Sequence, residues 1–169
     1  MKRIKESFHA VAVALDHEYT GRLWEIECMG VAIWSWLEKR IPQPAEHKTF
    51  RSAMKWLIEL VDSPTTLGIP WESMDPSGLL SELFVYVAEG LGVVTMDELR
   101  VYAAPHTALD LYHGVDLFFV NKGRFVSVDC STRDKSAFKA HVLWRPSHTL
   151  GQKAEEIVRC FQGSAAGWV

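Results

Sequence analysis

Apolar residues recur every three or four positions at Leu23, Ile26, Met29, Ile33, Trp34 and Leu37, and the run stops at Ile41-Pro42-Gln43-Pro44. That spacing places them on one stripe of a helix, expected from about Tyr19 to Arg40, with room for a shorter helix ahead of it. A second helix is expected from about Ala45 to Val61, with Phe50, Met54, Leu57, Leu60 and Val61 inward, between Pro44 and the breaker Asp62-Ser63-Pro64. Trp24, Trp34, Trp36, Trp56 and Trp71 fall in or near this half. Tryptophans on packed helices serve the core more often than a ligand, so they are assigned to packing.

A stretch rich in Pro, Gly and Ser runs from Asp62 to Gly78 and marks the internal boundary. It divides a helical subdomain with its loop, residues 1–77, from an α/β core, residues 78–169, the two forming one compact unit. After the loop, residues 79–89 read as a largely buried helix closed by Gly90 and Gly92, residues suited to a left-handed cap. A polar connection with His106, Asp110, Tyr112 and His113 leads to a β-hairpin whose arms are residues 114–120 and 124–131, joined by Asn121-Lys122-Gly123. A charged turn follows from Thr132 to Lys139. Residues 141–144 read as a further strand and Leu150 to Phe161 as a final helix. The fold class is α/β, with a mixed central sheet of three to four strands flanked by helices.

Composition narrows the options. A chain of 169 residues is long enough to bury a core without staples, so a bound metal would serve function rather than folding. Hydrophobic content of 48% and charged content of 23% suit a globular protein, and no apolar run approaches the roughly 20 residues that span a bilayer. The basic start, Met1-Lys2-Arg3, is not followed by an apolar signal core, and the cytoplasm is the expected compartment. Cys28, Cys130 and Cys160 form no CxxC pair, which argues against a disulfide framework or a zinc knuckle. A net charge of −3 supplies no global attraction to nucleic acid, so any such binding rests on local clusters.

Asp116 and Asp129 are the positions where chemistry is expected. Both stand at the rim of an otherwise apolar hairpin, and an ionised carboxylate removed from water costs several kcal/mol unless it is paired or bound to a cation. The cation is either a divalent ion on oxygen ligands or a side chain such as Arg124, Arg133 or Lys135. On the helix before them, Glu82 is expected among Leu79, Leu80, Leu83 and Phe84. Glu89 lies seven residues on and returns to nearly the same face.

The stretches Ser81 to Gly92, Gly114 to Val120 and Phe125 to Thr132 resemble the restriction-endonuclease-like, or PD-(D/E)XK, nuclease superfamily, most closely the archaeal-type Holliday junction resolvase pattern. The resemblance covers about a third of the chain and implies a site that hydrolyses phosphodiesters with Mg²⁺ or Mn²⁺. It places Glu82, Asp116 and Asp129 at the acidic, metal-binding positions, with Glu89 as the substitute for Glu82. It further implies nucleic acid, DNA in the first instance, as partner, no membrane, and dimerisation as an option. The lysine expected two residues after Asp129 is replaced by Ser131. Lys135 or Lys139, the latter one turn on if residues 133–139 are helical, would then supply the ammonium, a migration that the superfamily tolerates.

In that reading Asp116 and Asp129 bind the ion, Glu82 completes the acidic cluster, and Lys135 or Lys139 stabilises charge on the phosphate. Arg124, Arg133, Lys135, Lys139 and Arg145 form the local basic cluster that could meet a phosphate backbone. Two other readings stand beside it. A Cys130 nucleophile with His113 as base is conceivable, although neighbouring strand residues Asp129 and Cys130 face opposite ways. An inactive nuclease-fold protein that binds DNA or a protein partner is the other.

Overall fold

The computed structural model describes residues 17–63 and 77–169. The helix expected ahead of Tyr19, Trp71 and most of the boundary loop lie outside the described residues. The first helical run is two helices rather than one, α1 (His17–Met29) and α2 (Val31–Arg40). They break at Gly30, whose φ of 92° is a left-handed value that glycine adopts without steric cost. The break is also a contact point, because Leu79 donates its backbone N–H to Glu27 O at 3.0 Å and Gly78 packs on the Met29-Gly30 backbone. A Cβ on Gly78 would lie 2.5 Å from both Gly30 N and Met29 C. Backbone atoms cannot swing aside, so Gly78→Ala is expected to lower stability by about 2–3 kcal/mol, read from the urea midpoint; an unchanged midpoint would show that this junction yields freely.

Helix α3 (Phe50–Asp62) starts later than its hydrophobic pattern suggests, because Thr49 caps it by accepting the Ser52 N–H. Residues 45–49 carry neither helix nor strand and are tied down elsewhere, with Ala45 O accepting from Tyr112 Oη and Lys48 O bonded to His113 Nε2. Helix α4 (Leu80–Leu91) ends at Gly92, which adopts the left-handed cap at φ 65°. Gly90 lies inside this helix, where its missing side chain makes room for Val158 of the last helix.

The sheet then forms from β1 (Leu99–Ala103), β2 (Leu117–Asn121), β3 (Arg124–Cys130) and β4 (Val142–Trp144), with the short helix α5 (Ala108–His113) between β1 and β2. Helix α6 (Leu150–Gln162) and the two-residue β5 (Gly167–Trp168) complete the chain. Strands β1, β2 and β3 are antiparallel neighbours, β4 joins β3 in parallel, and β5 pairs with the start of β3, so the sheet is mixed. The hairpin is closed by Lys122 and Gly123, both at positive φ, a two-residue turn whose twist matches its strands. Strand β1 and helix α5 were expected as connection only.

Helices cover both faces. Phe84 of α4 stacks on Phe119, and α6 packs beside α4. Phe50 of α3 meets Phe125, and Asp62 at the end of α3 accepts from Tyr102, which stacks on Phe118. Helix α1 crosses the carboxyl ends of the parallel pair, where Trp24 meets Trp144 edge-on and donates its indole N–H to Trp144 O at 3.1 Å. Trp24 and Trp34 are buried, and Trp36 and Trp56 pack against the same core, which draws side chains from both segments of the chain. Among the described residues no helix is long and apolar enough to cross a membrane.

Candidate functional site

Asp116 occupies an irregularity in the sheet. The ladder pairs Leu117 with Val128, yet Asp116 also donates its backbone N–H to Val128 O at 3.0 Å, so two successive residues oppose one. This is a β-bulge, the device that re-aims a side chain at the end of a strand pair. The re-aimed carboxylate takes the place of a backbone acceptor: Cys130 donates its N–H to Asp116 Oδ2 at 2.6 Å. On the other side Ala104 donates to Asp116 O at 2.7 Å, so the residue is held from both neighbouring segments and is only 4% exposed.

Asp129, at the penultimate position of β3, is 6% exposed and receives the Lys135 ammonium at 2.6 Å on Oδ2. Two further carboxylates, Glu25 and Asp110, act on Asp116, and neither was among the expected site residues. Glu25 comes from α1, one residue after the Trp24 that anchors that helix to β4. Asp110 comes from α5 and accepts the His106 backbone N–H at 2.9 Å, across a turn that holds His106 at φ 68°. That conformation is uncommon for a residue with a side chain, and Gln43 braces it by donating Nε2–H to His106 O at 3.1 Å.

The electrostatics link the four acids. Burial pushes the Glu25 carboxyl up to about 8, helped by the like charges of Asp110 and Asp129 and opposed by Arg22 and Lys135. Asp116 is raised well above the usual carboxylate range by burial first, then by Glu25, Asp110 and Asp129. Asp110 is raised by burial and by Asp129, against the His106 N–H that favours its ionised form. The charges of Glu25, Asp110 and Asp129 thus reach the buried Asp116 from α1, α5 and β3. The spacing of Glu25, some ninety residues before Asp116, left no local pattern by which sequence reading could find it.

Glu82 requires correction. The buried stripe of α4 is Leu80, Leu83, Phe84 and Val87, which puts Glu82 on the opposite, exposed side together with Val85, Tyr86 and Glu89. Neither Glu82 nor the alternative Glu89 is among the charges that act on Asp116. Lys139 is exposed and donates to Tyr112 O at 3.4 Å, and residues 133–139 form bends rather than a helical turn. Lys135 is thus the ammonium that reaches Asp129. Ser131, at the expected lysine position, has its hydroxyl occupied as acceptor of the Arg133 N–H at 3.1 Å.

The basic cluster also loses members. Arg124 donates to Phe161 O, Gly163 O and Ala166 O, clamping the chain that follows α6, and Arg145 pairs with Asp134 at 3.5 Å. Cys130 is buried against Cys28, its thiol raised well above the ordinary value by burial, while His113 bonds Lys48 O. A buried, protonated thiol is a poor nucleophile, so the cysteine-histidine reading has no support here.

Hard oxygen donors of this kind suit Mg²⁺ or Mn²⁺. Among the described residues, however, no three His, Cys, Asp or Glu side chains stand together as a ready ligand set. The donors are turned to Lys135, the Cys130 N–H and the His106 N–H instead. Compared with family models, curated proteins and solved structures, the chain matches none of them.

Proposed function

We propose that this protein is a divalent-metal-dependent phosphodiesterase acting on nucleic acid, DNA in the first instance, with Asp116 and Asp129 as the principal metal ligands. The observation that carries the reading is the pair of buried aspartates at the hairpin's far end: Asp129 paired with Lys135 at 2.6 Å, and Asp116, which accepts the N–H of the next residue, Cys130, and whose carboxyl is raised by burial and by the charges of Glu25, Asp110 and Asp129. A cluster held in that way gains by taking up a divalent cation in exchange for its protons. Mg²⁺ or Mn²⁺ bound there would polarise the phosphate and acidify a water. The bulge at Asp116 fixes one ligand direction and β3 fixes the other. Glu25 and Asp110 stand ready to accept a proton from the attacking water or to orient it, and Lys135 supplies positive charge beside the phosphate.

The test is calorimetric titration of Mg²⁺ and Mn²⁺ into the parent and into Asp116→Asn/Asp129→Asn, each with and without a short DNA duplex. Saturable binding to the parent that the double variant loses is the expected result. No binding to either, with duplex present, would remove the metal reading and leave a nuclease-like protein that binds without cleaving. The lysines separate as well. Lys135→Ala is expected to lower cleavage of plasmid DNA by roughly 10–100-fold, and Lys139→Ala to leave it within about twofold, since its exposed ammonium reaches the Tyr112 carbonyl at 3.4 Å rather than a carboxylate; the reverse order would move the assignment to Lys139.

A further inference from the structure

Strand β3 is covered in two pieces along one edge. Strand β5 pairs with it at Arg124 and Phe125, β4 pairs with it from Val128 to Cys130, and neither ladder includes Val126 or Ser127. The His141 side chain fills that gap. Its Nδ1 accepts the Ser127 backbone N–H at 3.0 Å and stands 2.9 Å from Ser127 Oγ, which in turn accepts the His141 backbone N–H at 3.2 Å. A backbone N–H can only donate, so Nδ1 must present its lone pair, and the ring is neutral with its proton on Nε2. The backbone carbonyl of Ala165 is the ring's other partner. His141 thus joins the interior of β3, the start of β4 and the segment 163–169 that carries β5. The ring also lies edge-on to Phe125 at 5.4 Å, and Gly167 packs against that same Phe125 ring.

We infer that His141 is a pH-sensitive pin: neutral, it docks residues 165–169 on β3, and protonated, it loosens them and opens the β3 edge beside Phe125. The imidazolium carries a proton on both nitrogens, and the one on Nδ1 would point at the Ser127 N–H across 3.0 Å. The ring must then leave the gap, which breaks its tie to Ala165 and strips the Ser127 N–H of its acceptor. The charged groups on the packed elements are engaged elsewhere. On the same connection Lys139 is turned to Tyr112 O; on β3, Arg124 is turned to the carbonyls of Phe161, Gly163 and Ala166, and Asp129 to Lys135. On α6, Lys153 pairs with Glu156 and Arg159 with Glu155. Burial is the largest influence on the ring and disfavours its charged form, so docking is fully present above 6.5 and weakens as pH falls below it. The other holds on residues 165–169 do not titrate there. They are the two-residue ladder, the Val169 N–H to Gly123 O bond at 2.9 Å, the bonds of Ala166 to Cys160 O at 3.2 Å and to Arg124 at 3.3 Å, and Trp168, 68% exposed, over the Arg124 guanidinium. They keep the segment near β3 while its exchange with solvent rises.

The test follows the whole chain by NMR from pH 7.5 to 5.0, reading the His141 ring and the hydrogen exchange of Ser127 and residues 166–169 as protection factors, which remove the intrinsic effect of pH on exchange. At pH 7.5 the ring is expected as the neutral Nε2–H form, titrating below 6.5. Protection of those amides should fall about tenfold with the same midpoint, while the amides of β2 keep theirs. His141→Asn offers an oxygen close to the place of Nδ1 as acceptor for the Ser127 N–H but cannot be protonated, so its protection should not change across this range. A ring that titrates while protection stays constant overturns the pin, as does a ring that remains neutral down to pH 5.0. An equal loss of protection in His141→Asn would assign the effect to another group, and a loss shared by β2 would make it acid unfolding of the whole chain; either result also overturns it.

Discussion

Asp129→Asn should lower metal-dependent cleavage of supercoiled plasmid by roughly 10²–10³-fold while the chain stays folded. The substitution keeps the shape of the side chain and its place opposite Leu143 in the parallel ladder, so β3 has no steric reason to shift. What it removes is the charge. An amide oxygen is a weak ligand for a hard cation, and it cannot draw in the Lys135 ammonium that now sits 2.6 Å from Oδ2. Without a cation and at neutral pH, two effects on stability oppose each other. The Lys135 ion pair is lost, but the like charge that helps to raise Glu25, Asp110 and Asp116 is relieved. The melting temperature should therefore move by only a few degrees while activity collapses. Parent-like nicking in Mn²⁺ would end the two-aspartate assignment, and a chain that fails to fold would show Asp129 to be structural.

What the sequence revealed and what it concealed divide along a physical line. The hairpin was legible because Lys122-Gly123 supplies the two positive-φ residues of a tight turn between apolar runs, and Asp116 and Asp129 follow from it as the polar breaks at its far end. Helix α6 was legible from its apolar spacing, which places Ala154, Ile157, Val158 and Phe161 inward. Glu82 was misplaced because neighbours in sequence are not neighbours in space on a helix. The Leu79, Leu80, Leu83 and Phe84 around it belong to or border the buried stripe, and Glu82 points away from that stripe. Strand β1 escaped because its apolar run ends in Ala103-Ala104-Pro105, which reads as a loop, and its partner β2 lies across an intervening helix. Glu25 and Asp110 were hidden for a stronger reason. Their role depends on α1 being anchored across the strand ends by Trp24 and on the strained turn at His106, and neither tertiary fact leaves a local pattern. The bulge at Asp116 is of the same kind, since one extra residue in a strand changes where a side chain points without changing the hydrophobic pattern around it.

Between pH 7 and 9, without divalent cations, the parent should lose stability steadily, and Glu25→Gln should lose much less. The Glu25 carboxyl is held at about 8 in the folded chain against an ordinary value of 4.5. Between those values the folded state keeps a proton that the unfolded state has released, and stability falls as pH rises wherever the folded state binds more protons. Asp116 and Asp110, also raised, act in the same direction. The histidines act oppositely. Burial lowers His106 and His141 below 6.5, so their contribution is fully present above that value and is lost as pH falls below it. A window above pH 7 therefore isolates the acids. Because Glu25 is only half-buried and solvent screens part of its cost, the expected gain for Glu25→Gln at pH 8.5 is about 2 kcal/mol, or roughly 4–8 °C in melting temperature. Mg²⁺ should do for the parent what the substitution does, flattening the slope by supplying the missing positive charge, and should add little to Glu25→Gln in that respect. Parallel slopes for parent and variant, measured by thermal melts across this window, would mean that neither burial nor the neighbouring acids hold the Glu25 carboxyl above its ordinary value.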